Sequence, residues 1–313
     1  MVIADKAARL RENIRKVIIG QADVIDLALI AILCEGHLLL EDVPGTGKTT
    51  LAKTIAVSLG CSFRRVQFTP DLLPSDLTGI YYFNQKSQEF EFRPGPIMSQ
   101  ILLADEINRA TPRTQSALLE AMQERQVTVD IATHTLPRPF LVLATQNPIE
   151  LEGTFPLPEA QLDRFLMKVA LGYPDEAGEN AMLMRFERTD PLEVLESVIG
   201  PEEIIAMQQE VRLVRVEASV RQYVVNVCRA TRLHDDILLG ASPRATLALY
   251  RTCQARAALN GREFVIPDDV KQMAPHVLTH RLVVNPQTRL RGRLPEDVVR
   301  EVVNTVAVPV EGA

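Results

Sequence analysis

Apolar residues recur at spacings of three and four along the first segment, at Ala7, Leu10, Ile14 and Val17, which predicts one face of a helix. Gln21–Cys34 is apolar nearly all round and predicts a buried helix. From His37 the pattern changes to short apolar runs separated by helical stretches. Strands are predicted at His37–Glu41, Phe63–Gln67, Ile101–Asp105, Phe140–Thr145 and Leu166–Ala170, with helices at Lys48–Leu59 and Pro112–Glu124. The run Ile101–Asp105 is of the kind found in the middle of a parallel sheet. Alternating strands and helices imply an α/β fold, a mainly parallel sheet with helices on both faces.

Two stretches depart from that rhythm. Leu77–Phe92 alternates Ile80/Tyr82 and Phe90/Phe92 around Asn84–Glu89 and reads as an inserted β-hairpin. Gln126–Pro139 reads as a second. Pro174-Asp175 marks a boundary between a domain of residues 1–174 and one of residues 175–313. The second reads as helices only: Asp175–Arg188, Pro201–Val211, Ala218–Leu233, Pro243–Leu259 and Pro267–His280, several opened by Pro with an acidic or hydroxyl residue. The last residues, Val310–Ala313, are expected to fray.

Composition narrows the classes. Of 313 residues, 46% are hydrophobic and 24% charged, which suits a folded chain with a sizeable core. Lys and Arg total 34 against 40 Asp and Glu, a net charge of −6, and aromatics are 5% with no Trp. An acidic, aromatic-poor chain is a poor default for nucleic acid, so that partner is not expected. The cysteines Cys34, Cys61, Cys228 and Cys253 show no metal-type spacing and read as reduced and mostly buried. Residues 1–15 lack an apolar signal core, and no run is long enough to cross a bilayer, so a cytoplasmic location without membrane insertion is expected.

The chemistry concentrates in three places. Asp42-Val43-Pro44-Gly45-Thr46-Gly47-Lys48-Thr49 fits the phosphate-loop pattern GxxxxGK[ST] except that Asp42 stands where the first Gly is usual. Gly45 and Gly47 let the backbone wrap a phosphate, and the helix N-terminus at Lys48 points N–H groups at the anion. Lys48 supplies a cation to the β/γ phosphates, the Thr49 hydroxyl suits Mg²⁺, and Thr50 follows on the same turn. Ile101–Asp105 then delivers Asp105 and Glu106 to a strand's C-terminal edge, where ligands sit in open α/β sheets. Asp105 suits a Mg²⁺ shell and Glu106 suits polarising an attacking water. Asn147, in Ala144-Thr145-Gln146-Asn147-Pro148, is read as orienting that water or meeting the γ-phosphate; a plain Asn-Pro turn is the alternative. The sites together imply binding of ATP and Mg²⁺.

These residues resemble the AAA+ ATPases and, more closely, their MoxR branch. The resemblance is carried by Glu41–Thr49, Leu103–Ala110, Thr114–Met122 and Leu157–Phe165, and Asp42 in place of Gly is typical of that branch. It implies an AAA+ P-loop parallel sheet sandwiched by helices, with inserted β-hairpins, followed by an all-α lid domain. It also implies that Arg164 is an arginine finger reaching a neighbouring subunit, that Arg244 is the sensor 2 arginine, and that Ile19 and Gly20 lie in the segment that packs on adenine. A finger works only across an interface, so the resemblance implies a homo-oligomeric ring, most often a hexamer. The expected activity is ATP hydrolysis by a chaperone that remodels or matures partner complexes, alongside a protein with a von Willebrand factor A domain.

A DNA-dependent motor and a nucleotide-binding scaffold with little turnover are the competing readings. Charge and composition count against the first, and Asp105, Glu106 and Arg164 against the second. A GTPase lacks support because no NKxD motif occurs. His276 and His280 share a helix spacing but lack the Glu of HExxH, so no zinc site is expected. Arg281, Arg291 and Arg293 read as a solvated face. Tyr81, Tyr82 and Phe83 suit either a client contact or packing on the domain.

Overall fold

The computed structural model describes residues 2–41, 45–130, 132–147, 153–187 and 189–309. Helices α1 (Val2–Arg15) and α2 (Ala22–Leu33) precede strand β1 (Leu38–Glu41) and helix α3 (Lys48–Ser58). Next come β2 (Phe63–Gln67), the short α4 (Pro74–Thr78), a hairpin β3 (Gly79–Asn84) and β4 (Glu89–Pro94), then β5 (Ile101–Asp105) and α5 (Pro112–Glu124). A second hairpin, β6 (Gln126–Val129) and β7 (Ala132–Thr135), leads to β8 (Leu141–Gln146), α6 (Glu159–Leu162) and β9 (Met167–Val169).

The five long-range strands form one parallel sheet in the order β2-β5-β8-β1-β9. Leu38–Leu40, Ile101–Ala104 and Leu141–Ala144 are buried because both faces are covered. Side-chain alternation divides each strand between two cores. Leu38, Leu40, Leu103 and Leu143 join one apolar cluster, whereas Leu39, Leu102, Val142 and Ala144 join the other. Each fully buried Leu contributes about 1.5–3 kcal/mol of transfer free energy. The first cluster continues without interruption into the C-terminal helices, through residues such as Tyr223, Leu249 and Val270.

Those helices are α7 (Glu176–Arg185), α8 (Pro201–Val211) and α9 (Ala218–Leu233), followed by β10 (Ile237–Leu239), α10 (Pro243–Leu259), α11 (Pro267–Leu278), β11 (Val283–Val284), α12 (Pro286–Leu290) and α13 (Pro295–Thr305). The expectation of helices only is therefore corrected: β10 and β11 pair antiparallel. Strands of three and two residues are too short to register as periodicity. Helix α13 did carry a signal, Pro295 with Glu296 and Asp297 ahead of buried Val298, Val299, Val302 and Val303.

The hairpins pack on each other. His134 of β7 stacks on Phe92 of β4 at 3.9 Å, with the rings 10° from parallel, and its Nε2 lies 3.3 Å from the Tyr81 hydroxyl. Tyr81 therefore packs, while Tyr82 and Phe83 face outward with Phe90. The reading of Arg281 as part of a solvated face is wrong: it is buried and paired with Asp163. Among the described residues no helix is long and apolar enough to cross a membrane.

Candidate functional site

The C-terminal ends of β2, β5 and β8 and the start of α3 line one cavity of about 390 Å³. Gly45 and Gly47 form one wall, and both sit at positive φ, 86° and 87°. A Cβ at either would touch nothing within 4 Å, so conformation and not space requires glycine there. Gly47 caps α3, whose first-turn N–H groups have no partner within the helix. Lys48 and Thr49 line the cavity beside them. Thr46 is buried, and Thr50 lies half-buried on the same turn, its carbonyl accepting from the Thr54 hydroxyl at 2.7 Å. Asp42, Val43 and Pro44 lie outside the described residues.

Opposite stand the acids. Thr145, buried at the end of β8, donates to Asp105 Oδ1 at 2.6 Å and accepts from the Glu106 backbone N–H at 2.8 Å. One hydroxyl thus ties both residues to the neighbouring strand. Glu106 is held at φ 56°, in the left-handed region that non-glycine residues seldom occupy. Strain of that type costs about 1–3 kcal/mol and persists where surrounding bonds enforce it. The Glu106 carboxylate accepts from Gln67 Nε2 at 2.8 Å and pairs with Arg109 at 3.4 Å. Arg65 reaches Asp105 Oδ2 at 2.6 Å and Gln67 Oε1 at 3.1 Å. Asn147 lines the cavity just past β8.

Arg65, Gln67 and Thr145 carry this geometry, and none was assigned a role from the sequence. Arg65 and Gln67 alternate onto one face of β2, but only the pairing of β2 with β5 sets them beside Asp105 and Glu106. The Thr49 hydroxyl and the Asp105 carboxylate are hard oxygen donors on one cavity, the donor type that suits Mg²⁺.

Other expected site residues stand elsewhere. Arg164 follows α6, donates to the Leu119 carbonyl at 2.9 Å, and lines a separate cavity with Glu120, Glu124 and Gln161. Arg244 is exposed in the first turn of α10, where the Ser242 side chain caps the helix by accepting from Ala245 N–H at 3.1 Å. Ile19 is half-buried, and Gly20 lines a third cavity of about 600 Å³ with Gln21, Val24, Tyr173 and His276. That cleft runs between the N-terminal segment, the end of β9 and the lid helices α10 and α11. His280 is buried, its Nε2 3.1 Å from the Phe165 carbonyl.

Comparison with known proteins agrees with this fold. Residues 37–167 match the model of the ATPase family associated with various cellular activities (AAA), and residues 229–302 match the AAA lid domain. The chain is 52% identical to the uncharacterized protein YeaC of Bacillus subtilis, over 96% of this chain and 94% of that one. It is 41% identical to chaperone MoxR1 of Mycobacterium tuberculosis, over 95% of this chain and 81% of the relative. A crystal structure from Cytophaga hutchinsonii, described as a candidate ATPase, superposes with a TM-score of 0.93 at 38% identity, covering 99% of this chain and 96% of that one. With a phosphate loop facing paired acids at the sheet's edge and a matching lid, the chain binds nucleotide and hydrolyses ATP, and it belongs to the MoxR family of AAA+ ATPases.

Proposed function

We propose that the chain is a Mg²⁺-dependent ATPase that works as a ring, in the simplest form a hexamer, and uses ATP to remodel or mature partner protein complexes. One observation carries this reading. Lys48, Thr49, Asp105, Glu106 and Asn147 share a cavity, while Arg164 lines a different one. A finger arginine that does not reach its own nucleotide serves a second copy's.

In this reading Asp42–Thr50 wraps the triphosphate, with Lys48 on the β- and γ-phosphates. Thr49 and Asp105 would hold Mg²⁺, which would supply positive charge to neutralise the phosphates. Glu106 polarises the attacking water and Asn147 orients it against the γ-phosphate. Arg164 of the adjacent subunit stabilises charge building on the transferred phosphoryl group, and Arg244 senses the nucleotide from the lid. Ile19 and Gly20 flank the base. A cytoplasmic setting and a von Willebrand factor A-domain protein as co-partner complete the proposal, with the outward Tyr82, Phe83 and Phe90 available to a client.

Two measurements test it. Glu106→Gln is expected to keep ATP binding and lower kcat by at least about 10²-fold, the scale set by loss of a positioned general base; undiminished turnover removes Glu106 from its role. Mixing Arg164→Ala with Lys48→Ala subunits is expected to restore part of the activity, and mixed rings without rescue would sink the shared site. Strong stimulation by single-stranded DNA would favour a nucleic-acid motor.

A further inference from the structure

Arg281 has no part in the site described above, yet its side chain is only 3% exposed. Its guanidinium, from the turn after α11 in the lid, reaches across to the chain that carries Arg164. Nε donates to Asp163 Oδ1 at 2.7 Å, Nη1 to the Leu166 carbonyl at 2.9 Å, and Nη2 to the carbonyls of Phe165 at 2.5 Å and Asp163 at 3.3 Å. A further bond from Nη1 to the Val277 carbonyl ties the group to its own helix. His280 Nε2, 3.1 Å from the Phe165 carbonyl, adds a second lid contact to the same segment.

The carboxylate of Asp163 is shared. Ser242, the N-cap of α10, donates to Asp163 Oδ2 at 3.2 Å. Two residues after Ser242 stands Arg244, exposed on the same helical turn. Asp163 thus joins the residue before Arg164 to the cap of the helix bearing Arg244, with Arg281 as the third leg.

Burying a guanidinium costs several kcal/mol of desolvation, and a well-packed apolar residue would serve stability as well or better. Four bonds from one planar group to a single turn of chain fix where that turn points. We infer that Arg281 is a positioning residue for Arg164: through Asp163 it makes the orientation of the finger arginine follow the lid of its own subunit. A lid movement in one subunit then re-aims the guanidinium offered to the next subunit's nucleotide. This rests on the reading of Arg164 as a finger acting in trans.

The test is a double-mutant cycle on the full chain, with kcat, ATP affinity and Tm measured for Arg164→Ala, Arg281→Lys and the pair. Lys keeps the charge but cannot span three carbonyls and a carboxylate. Arg281→Lys is expected to lower kcat at least about tenfold with ATP affinity within about twofold, and in the Arg164→Ala background to lower it no further than about twofold. Losses that multiply in the double variant, or full turnover in Arg281→Lys, overturn the inference while leaving the finger standing. Wild-type turnover in Arg164→Ala overturns the finger and the inference together. Should Arg281→Lys fail to fold, Asp163→Asn, which keeps the backbone carbonyl and the side-chain shape, takes its place in the same cycle and is read by the same outcomes.

Discussion

The Arg65 guanidinium lies 2.6 Å from the carboxylate of Asp105, the acid assigned to the metal shell. A cation from the sheet's edge strand therefore shares the group that a divalent ion would use. The side chain of Arg65 is 47% exposed, so its hold on Asp105 is modest, within the roughly 0.2–1 kcal/mol of a surface pair. Arg65→Gln is expected to tighten Mg²⁺ binding by about two- to fivefold. Calorimetry of ADP binding with and without Mg²⁺ reads this directly, since ADP alone is the reference. Weaker Mg²⁺ binding in the variant would contradict it.

Thr145 is placed to matter for both acids at once. Thr145→Val keeps the shape and removes the hydroxyl, leaving the Glu106 N–H and Asp105 Oδ1 without that partner. Stability is expected to fall by about 1–3 kcal/mol, the cost of a buried group left unsatisfied. Turnover should fall with it because Glu106 relaxes from φ 56°. Thr145→Ser should restore both. A valine variant with unchanged denaturant midpoint and kcat would show that the bridge is incidental.

His37, directly before β1, is expected to contribute to acid sensitivity. It is buried, its Nδ1 accepts from Val142 N–H at 3.0 Å, and Nε2 lies 3.1 Å from the Met122 carbonyl. One accepting and one donating nitrogen describe a neutral ring. Burial, against the bond to Met122 and aided by the charge of Arg125, pushes its pKa down to about 4. The unfolded chain, with an ordinary value near 6.5, binds the proton first, so folding stability drops as pH falls from about 6.5 to about 4. The full loss is on the order of 3 kcal/mol. A His37→Gln variant should show a shallower slope in that window when unfolding is followed by denaturant titration. Equal slopes for variant and parent would argue that the ring titrates normally.

Glu35 behaves in the opposite sense. Its carboxylate, 8% exposed, meets Arg125, Arg138 at 2.9 Å and Arg212 at 2.5 Å. Burial alone raises its pKa, but the three guanidinium groups outweigh burial and hold it below the ordinary glutamate range. The stabilisation is present above that range and lost as pH falls through the lowered value. The arginines are themselves exposed, which screens the interaction, so Glu35→Gln is expected to cost about 1–2 kcal/mol at pH 7. The gap between parent and variant should shrink below about pH 4; a constant gap would mean that packing, not charge, holds this junction of α2, α5, the β7–β8 loop and α8.

Much of the fold was legible because local signals are strong where the sheet is buried. The boundaries Phe63–Gln67, Ile101–Asp105, Pro112–Glu124 and Pro243–Leu259 stand where periodicity and proline placed them. The short strands β10 and β11 were not legible, since two or three residues carry no period. Arg281 was misread for a related reason: charge in a sequence suggests solvent, and only Asp163 and the carbonyls of residues 163–166 explain its burial.

The sequence by itself determined the phosphate loop, the acids that end a buried strand, and the alternation that splits each strand between two cores. These follow from conformational needs of single residues and from patterns a few residues long. Gly45 and Gly47 need positive φ, and Asp105 and Glu106 end an apolar run wherever that run is placed. Only the tertiary structure decided which groups meet. The sheet order β2-β5-β8-β1-β9 departs from chain order, so it brings Arg65 and Gln67 across to residues about 40 positions away. The same folding keeps Arg164 out of its own phosphate cavity and seats Arg281 against the turn that carries it. Contacts of that range depend on how covered faces pack, and no window along the chain contains them.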